Sequence, residues 1–354
     1  MSQLATTLEH ATVACTPADF VESTGVVYVQ DCEPGFQRRR CGRGFTYLDP
    51  AGRVVRDPAL RERFTALAIP PAWQAVWIGA NPDGHLLATG RDEAGRKQYI
   101  YHPRWRALRS QAKYDRLRLF AEALPKVRAQ VQADLRKRAL TQEKVTALVV
   151  HLLEETMIRI GNEAYARQNE TYGLTTLQDD HVTVNGKEVA FEFRGKSGKE
   201  HEIVVSDPRL ARLVQACQEL PGQQLFQYIA EDGKICGLTS TDVNDYLRTV
   251  TDCDFTAKDF RTWGGTIAAA HLLNAMGPGA TEKEAEHNVV QVIKGVAAKL
   301  GNTPTVCRQH YVHPTIVNAY IEGRLAALYA DTSQQHTMPD LADDEAVVYT
   351  LLSQ

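Results

Sequence analysis

The stretch HVTVNGKEVAFEFRGKSGKEHEIVV, residues 181–205, decides the fold class, because its apolar side chains recur at every second position in three short runs. Val182 and Val184, then Val189, Phe191 and Phe193, then Ile203 and Val205 follow the period of half-buried strands. Asn185-Gly186 supplies the positive φ angles of a two-residue hairpin, and GKSG at 195–198 supplies a second turn. The three runs predict an antiparallel meander with Lys196 at its tip. On either side the period becomes helical. In EKVTALVVHLLEETMIRIGNEAYARQN, residues 143–169, apolar positions 145, 148, 149, 152, 153, 157 and 160 form a stripe that packs one face into a core. Arg159 lies beside that stripe near the predicted helix end. Beyond the meander, residues 238–250, 256–276, 282–300 and 315–330 read as helices, as does a segment that opens on Thr303-Pro304 and carries Tyr311.

Upstream of Gln111 the chain reads differently. Short β-rich pieces alternate with turn signals: GFTYLDPAGRVV, the Pro70-Pro71 break, and RKQYIYHP, where Gln98, Tyr99, Ile100 and Tyr101 alternate across a strand. The predicted organisation is a flexible lead-in (1–27), a β-rich N-terminal domain (28–110), a mainly helical domain (111–330) and an acidic C-terminal tail (331–354). The fold class is therefore α+β, a small β-rich domain followed by a mainly α-helical domain containing a three-stranded antiparallel sheet.

With 354 residues the chain is long enough for two cores, and it needs no disulfides. Its seven cysteines are odd in number and never spaced C-x-x-C, which argues against a disulfide framework and a structural zinc site. No run of eighteen apolar residues and no signal-peptide pattern occurs, so the expected location is cytoplasmic. A net charge of −3 argues, taken whole, against a nucleic-acid partner. The distribution argues otherwise: residues 91–118 hold nine Lys or Arg against three Asp or Glu, interleaved with Tyr99, Tyr101 and Trp105. From Asp331 onward there are five acids and no Lys or Arg, and DLADDE reads as a solvated run.

The motifs ETMIRIGNEAY, NETYGLTTL, FRGKSGKEHE, KDFRTWG and LGNTPTVCRQHY, with GRDEAGRKQYIYHPRW upstream, resemble the type IB DNA topoisomerases, specifically the compact poxvirus-like group found in bacteria. The resemblance spans roughly residues 40–325. It implies that Tyr311 attacks a DNA phosphate, that Arg159 and Arg261 bind the non-bridging oxygens, and that Lys196 protonates the leaving 5′-oxygen. These residue types suit the chemistry. A phenol with a reference pKa of about 10 is a poor nucleophile at neutral pH and needs cations around the developing charge. Guanidinium groups supply paired hydrogen bonds to phosphate.

Where the family pattern has histidine in L-G-x-T-P, this chain has Asn302, which donates a neutral hydrogen bond but carries no charge. His310 and His313 flank the nucleophile without a family role. The resemblance also implies DNA contacts from Arg96, Lys97, Gln98, Tyr99 and Tyr101 on one strand, from Asn162 and Tyr165 on the helix after Arg159, and from Lys258. It further implies a monomer in the nucleoid, acting on supercoiled duplex DNA through a 3′-phosphotyrosyl intermediate, without ATP, metal or cofactor. No G-x-x-x-x-G-K-[ST] motif is present. A tyrosine recombinase uses almost the same residues, but there H-x-x-R generally stands where this chain has Lys258-Asp259-Phe260-Arg261, and a helical domain precedes the catalytic one. A DNA clamp without activity is the other alternative.

Overall fold

A tight pleat and two helix-capping signals organise the N-terminal unit of the computed structural model, which describes residues 26–42, 44–93, 95–331 and 340–354. Strand β1 (Gly35–Cys41) pairs with β2 (Gly44–Leu48). Helix α1 (Pro58–Ala66) follows, started by the Asp57 side chain, which accepts from the Ala59 amide, and by Pro58 in the first turn. Then come β3 (Gln74–Gly79), β4 (Leu86–Arg91) and β5 (Lys97–Tyr101), completing an antiparallel sheet of order β2-β1-β3-β4-β5. Phe64 of α1 packs on Val76, Ile78 and Ala88 of that sheet. Strand β5 is an edge. Because side chains alternate, Ile100 joins this core while Lys97, Tyr99 and Tyr101 point to the other face. Neither β1 nor α1 stands out in the sequence pattern.

The chain divides into two compact units at Ala112–Lys113, inside helix α2 (Pro103–Asp134). The second unit is built around α3 (Gln142–Thr156), whose Val145, Leu148, Val149, Leu152 and Leu153 are all but inaccessible. Each such side chain contributes roughly 2 kcal/mol of burial. After the short α4 (Glu163–Asn169) comes the predicted meander: β6 (Val182–Asn185), β7 (Glu188–Arg194) and β8 (Glu200–Ser206), with Phe193 opposite His201. Then follow α5 (Pro208–Gln218), the small hairpin of β9 (Gln227–Ile229) and β10 (Ile235–Gly237), α6 (Ser240–Thr251), α7 (Ala257–Met276), α8 (Glu282–Lys299), α9 (Pro304–His310), α10 (Pro314–Ile321), α11 (Arg324–Ala330) and α12 (Asp343–Leu352). The α+β class is as the sequence predicts. Among the described residues no helix is long and apolar enough to cross a membrane.

Several boundaries differ from the sequence reading, each for a local reason. Helix α3 stops at Thr156 because Met157 turns left-handed at φ 54°, so Arg159 stands in an extended segment beyond it. The apolar stripe runs on through Met157 and Ile160, which disguised the stop. Tyr311 is not in a helix: α9 ends at His310, and Tyr311 is its cap at φ −132°. Gly323, at φ 74°, divides what reads as one helix into α10 and α11. The predicted lead-in lies outside the described residues up to position 25, but Val26 is buried and Val27 donates to Asp83.

The acidic tail is the largest correction. Part of it, 332–339, lies outside the described residues, but Asp343, Asp344 and Glu345 are the first turn of α12, where acids complement the helix dipole. Ala346, Val347, Val348 and Leu351 are buried. Arg128 binds Glu345 through both terminal nitrogens, at 3.0 and 2.8 Å, and Trp263 of α7 donates to the same carboxylate at 2.9 Å. Burial works against the charge of Glu345, but Arg128 and Trp263 outweigh it and hold the carboxyl below the usual glutamate range. A depressed pKa adds stability above the unfolded-state value and loses it as pH falls through the folded one. Glu345→Ala should therefore lower unfolding free energy by about 2 kcal/mol at pH 7, because Arg128 keeps Glu154 but the buried Trp263 N–H loses its acceptor, with the deficit shrinking below about pH 4. Urea titrations at both pH values measure this, and a solvated glutamate predicts almost no change.

Candidate active site

Two helix ends and one guanidinium set the geometry. Arg261, on the first turns of α7, is 4% exposed. Its Nη1 donates to the carbonyl of Met157, the residue that caps α3, and its Nη2 donates at 2.7 Å to the carbonyl of Leu300, which caps α8. Carbonyls at helix C-termini lack intrahelical partners and carry partial negative charge, so a cation there satisfies both helices. Burial, then the nearby Arg159 cation, hold Arg261 below the ordinary guanidinium value, with Tyr311 pulling the other way. It remains a cation at neutral pH.

Tyr311 sits against this group, its ring centroid 5.4 Å from the Arg261 guanidinium carbon. Its backbone is fixed on the same helix one turn later. Thr266 Oγ1 donates to the Tyr311 carbonyl at 3.3 Å, and a methyl group on Gly265 would stand 2.7 Å from that oxygen. Gly264, beside it, leaves room for the Met157 sulfur, which a methyl group there would meet at 2.6 Å. The Gly264-Gly265 pair costs α7 intrinsic helix stability but admits both neighbours.

Arg159 arrives from the extended segment after α3. That segment is pinned by NETYGLTTL: Leu174 donates to the Arg159 carbonyl at 2.8 Å, and Thr175 donates to the Ile160 carbonyl at 2.7 Å. Arg159 Nη2 donates to Asn302 Oδ1 at 2.5 Å and to the Gly301 carbonyl at 3.3 Å. Because arginine only donates, this bond fixes the Asn302 amide with its oxygen toward Arg159 and its NH₂ turned away. Asn302 is 9% exposed, and its buried Nδ2 has no hydrogen-bond partner among the described residues; nor does Nε of Arg261. Burial, opposed by Tyr311, also holds Arg159 below its ordinary value. Asn302 itself is held by its backbone amide, which donates to Ala297 at 2.8 Å, just before the Thr303-Pro304 start of α9.

Arg159, Arg261, Asn302 and Tyr311 thus form one linked cluster in the second unit, Asn302 through Arg159 and Tyr311 through Arg261. Lys196 is exposed at the meander tip, and the tip meets the cluster through its neighbours: Lys199 Nζ donates to the Asn302 carbonyl at 3.0 Å. His313 is the N-cap of α10. Its Nδ1 accepts from the Thr315 amide at the start of α10, and its ring lies edge-on to Tyr114. His310 is exposed. The sequence reading passed over His201, half-buried on the same face of β8 as Ile203 and Val205, although the two-residue period places it there. It also passed over Tyr114, whose hydroxyl lies 2.9 and 3.1 Å from the carbonyls of Gln309 and Val312, on either side of Tyr311.

The residues expected to face DNA divide. Tyr99 is exposed and stacks on Tyr101, with Lys97 Nζ 5.7 Å from the Tyr99 ring. Lys97 is also paired with Asp31 at 2.6 Å, and Arg96 with Asp92 at 2.9 Å. Gln98 lies on the opposite side of the strand and donates to Asp92. In the second unit Tyr165 and Lys258 are exposed, while the Asn162 side chain caps α4 by accepting from the Tyr165 amide at 3.2 Å.

Residues 102–337 match the family described as eukaryotic DNA topoisomerase I, catalytic core, and residues 44–92 match the bacterial DNA topoisomerase IB N-terminal domain. The DNA topoisomerase 1B of Acanthamoeba polyphaga mimivirus is 31% identical over 287 residues, covering 78% of this chain and 85% of that protein. The DNA topoisomerase 1B of vaccinia virus (strain Copenhagen) is 26% identical over 286 residues, covering 76% and 82%. DNA topoisomerase 1 of Schizosaccharomyces pombe aligns over 212 residues at 26% identity, 58% of this chain and 23% of that larger protein. The matched families and relatives make this an isomerase acting on DNA. The chain belongs to the type IB DNA topoisomerase family.

Proposed function

We propose that the protein relaxes supercoiled duplex DNA by cutting and resealing one strand at Tyr311, as a monomer and without ATP or an obligatory metal. What carries the reading is the placing of Arg159 and Arg261 beside half-buried Tyr311, with Asn302 bonded to Arg159. In the forward step Tyr311 Oη bonds to phosphorus as the bond from phosphorus to the 5′-oxygen breaks. The strand is left as a 3′-phosphotyrosine and a 5′-hydroxyl. The phenolic proton passes to solvent water, and Lys196, as an ammonium, delivers a proton to the departing oxygen.

Negative charge grows on the non-bridging oxygens in between, and preorganised donors that need no rearrangement stabilise it. The two guanidinium groups supply charge there, and Nδ2 of Asn302, without a partner among the described residues, supplies a neutral donor. Religation is the same sequence reversed, so the energy of the broken bond is kept in the phosphotyrosine while the free end turns. Exposed Tyr99, Lys97 and Arg96 and half-buried Tyr101 on the first unit, and exposed Tyr165 and Lys258 on the second, supply aromatic and cationic surface for the duplex. Of the rival readings, a recombinase lacks the support of the matched family, and an inactive clamp does not call for a phenol set against a buried guanidinium.

Replacing Tyr311 by Phe removes only the attacking oxygen. That variant should hold duplex DNA within about twofold of the parent, a neutral change at a binding surface, yet show no plasmid relaxation. Relaxation by a clean preparation would refute the assignment. Asn302→Ala should slow both cleavage and religation about a hundredfold, the usual loss for one neutral donor to a developing oxyanion. Asn302→His should restore activity. Single-turnover rates decide it, and an alanine variant as fast as the parent removes Asn302 from the site.

A further inference from the structure

One imidazole separates the two backbones that matter for proton delivery. A methyl group added to Gly195, the residue before Lys196, would stand 2.5 Å from Cδ2 and 2.6 Å from Nε2 of His201. A methyl group added to Gly301, the residue before Asn302, would stand 2.6 Å from Cε1 of the same ring. Both separations are far below ordinary contact, so the ring fills the gap between hairpin and corner, and each side of that gap needs a residue without Cβ. Gly301 is also left-handed, at φ 61°. Phe193, directly across the ladder, stacks on the ring with centroids 5.0 Å apart and planes 13° apart.

The turn above this ring is closed tightly. The Gly195 amide donates to the Lys199 carbonyl at 2.7 Å, and the Gly198 amide donates back to Gly195 at 3.1 Å. Lys199 then reaches the Asn302 carbonyl. The backbone of Lys196 therefore rides on Gly195, and the His201 ring fills the space between Gly195 and Gly301.

We propose that His201 is a positioning residue: its ring is the spacer that aims Lys196 at the leaving oxygen. The inference rests on the reading of Lys196 as the proton donor. Burial, then the cations of Arg159, Arg261 and Lys199, hold His201 below the ordinary histidine range, so the ring is neutral at pH 7. A neutral aromatic ring of similar thickness should serve in its place. Small errors in aim are costly, because a displacement of about 1 Å at a reacting group is worth up to a hundredfold in rate.

The test uses a duplex carrying a cleavage site mapped with the parent protein, made once with the natural 5′-oxygen and once with a 5′-bridging sulfur, which leaves as a thiolate without a proton. Lys196→Ala is the benchmark, expected to lose on the order of a thousandfold on oxygen and under about tenfold on sulfur. His201→Ala should show the same signature at smaller size: about thirtyfold slower on oxygen and less than about threefold slower on sulfur. His201→Phe, which keeps the stack on Phe193, should stay within about fivefold of the parent on both. If the Lys196→Ala signature appears but His201→Ala is equally slow on both strands, or as fast as the parent on oxygen, the spacer role is wrong. The same conclusion follows if His201→Phe is as slow as His201→Ala. If Lys196→Ala itself loses equally on both strands, or the parent forms no adduct, the reading of Lys196 fails and this inference falls with it.

Discussion

Everything in the candidate site hangs on the buried guanidinium of Arg261. A charge that is 4% exposed is expensive to desolvate unless strong partners surround it. Here the partners are the carbonyls of Met157 and Leu300, at the C-terminal ends of two helices. The same contact that makes the charge tolerable therefore brings those two helix ends together. From one end the chain continues two residues to Arg159, and from the other two residues to Asn302. The site is assembled by satisfying the helices.

That arrangement also explains why Tyr311 comes from outside a helix. A tyrosine in the regular part of α9 would have its carbonyl bonded along the helix. As the cap, Tyr311 instead gives its carbonyl to Thr266, one turn beyond Arg261 on α7. Cation and phenol are then referenced to a single rigid element, which the C-terminal helix holds from behind through Trp263 and Glu345. Groups fixed this firmly need little reorganisation when charge develops, which is where electrostatic catalysis gains most.

Much of this was legible in the residues. Alternation and Asn185-Gly186 give the meander and put Lys196 at a turn, and the order of motifs gives the family. What stayed hidden depends on tertiary contacts that local patterns do not encode. The stop at Met157 is a left-handed residue inside an unbroken apolar stripe. The acids of α12 look solvated until Arg128, more than two hundred residues earlier in the chain, is placed against Glu345. Gln98 and Tyr99 are neighbours in sequence, yet the pleat sends them to opposite faces. His201 carried a readable signal in its register with Ile203 and Val205, but its importance comes from two glycines on separate elements.

The central claim is that Tyr311 becomes joined to the 3′-side of a broken strand. The most direct measurement offers the protein a duplex cut close to one side of a cleavage site, so that the short leaving strand diffuses away and the covalent state is trapped. The trapped complex is then digested and the DNA-bearing peptide sequenced by mass spectrometry. The account predicts an adduct that survives denaturation, a 3′-phosphate ester on Tyr311 in the peptide containing Cys307 to His313, and a free 5′-hydroxyl on the released strand. An adduct on another residue, attachment through a 5′-phosphate, or no adduct with DNA fully bound would contradict it.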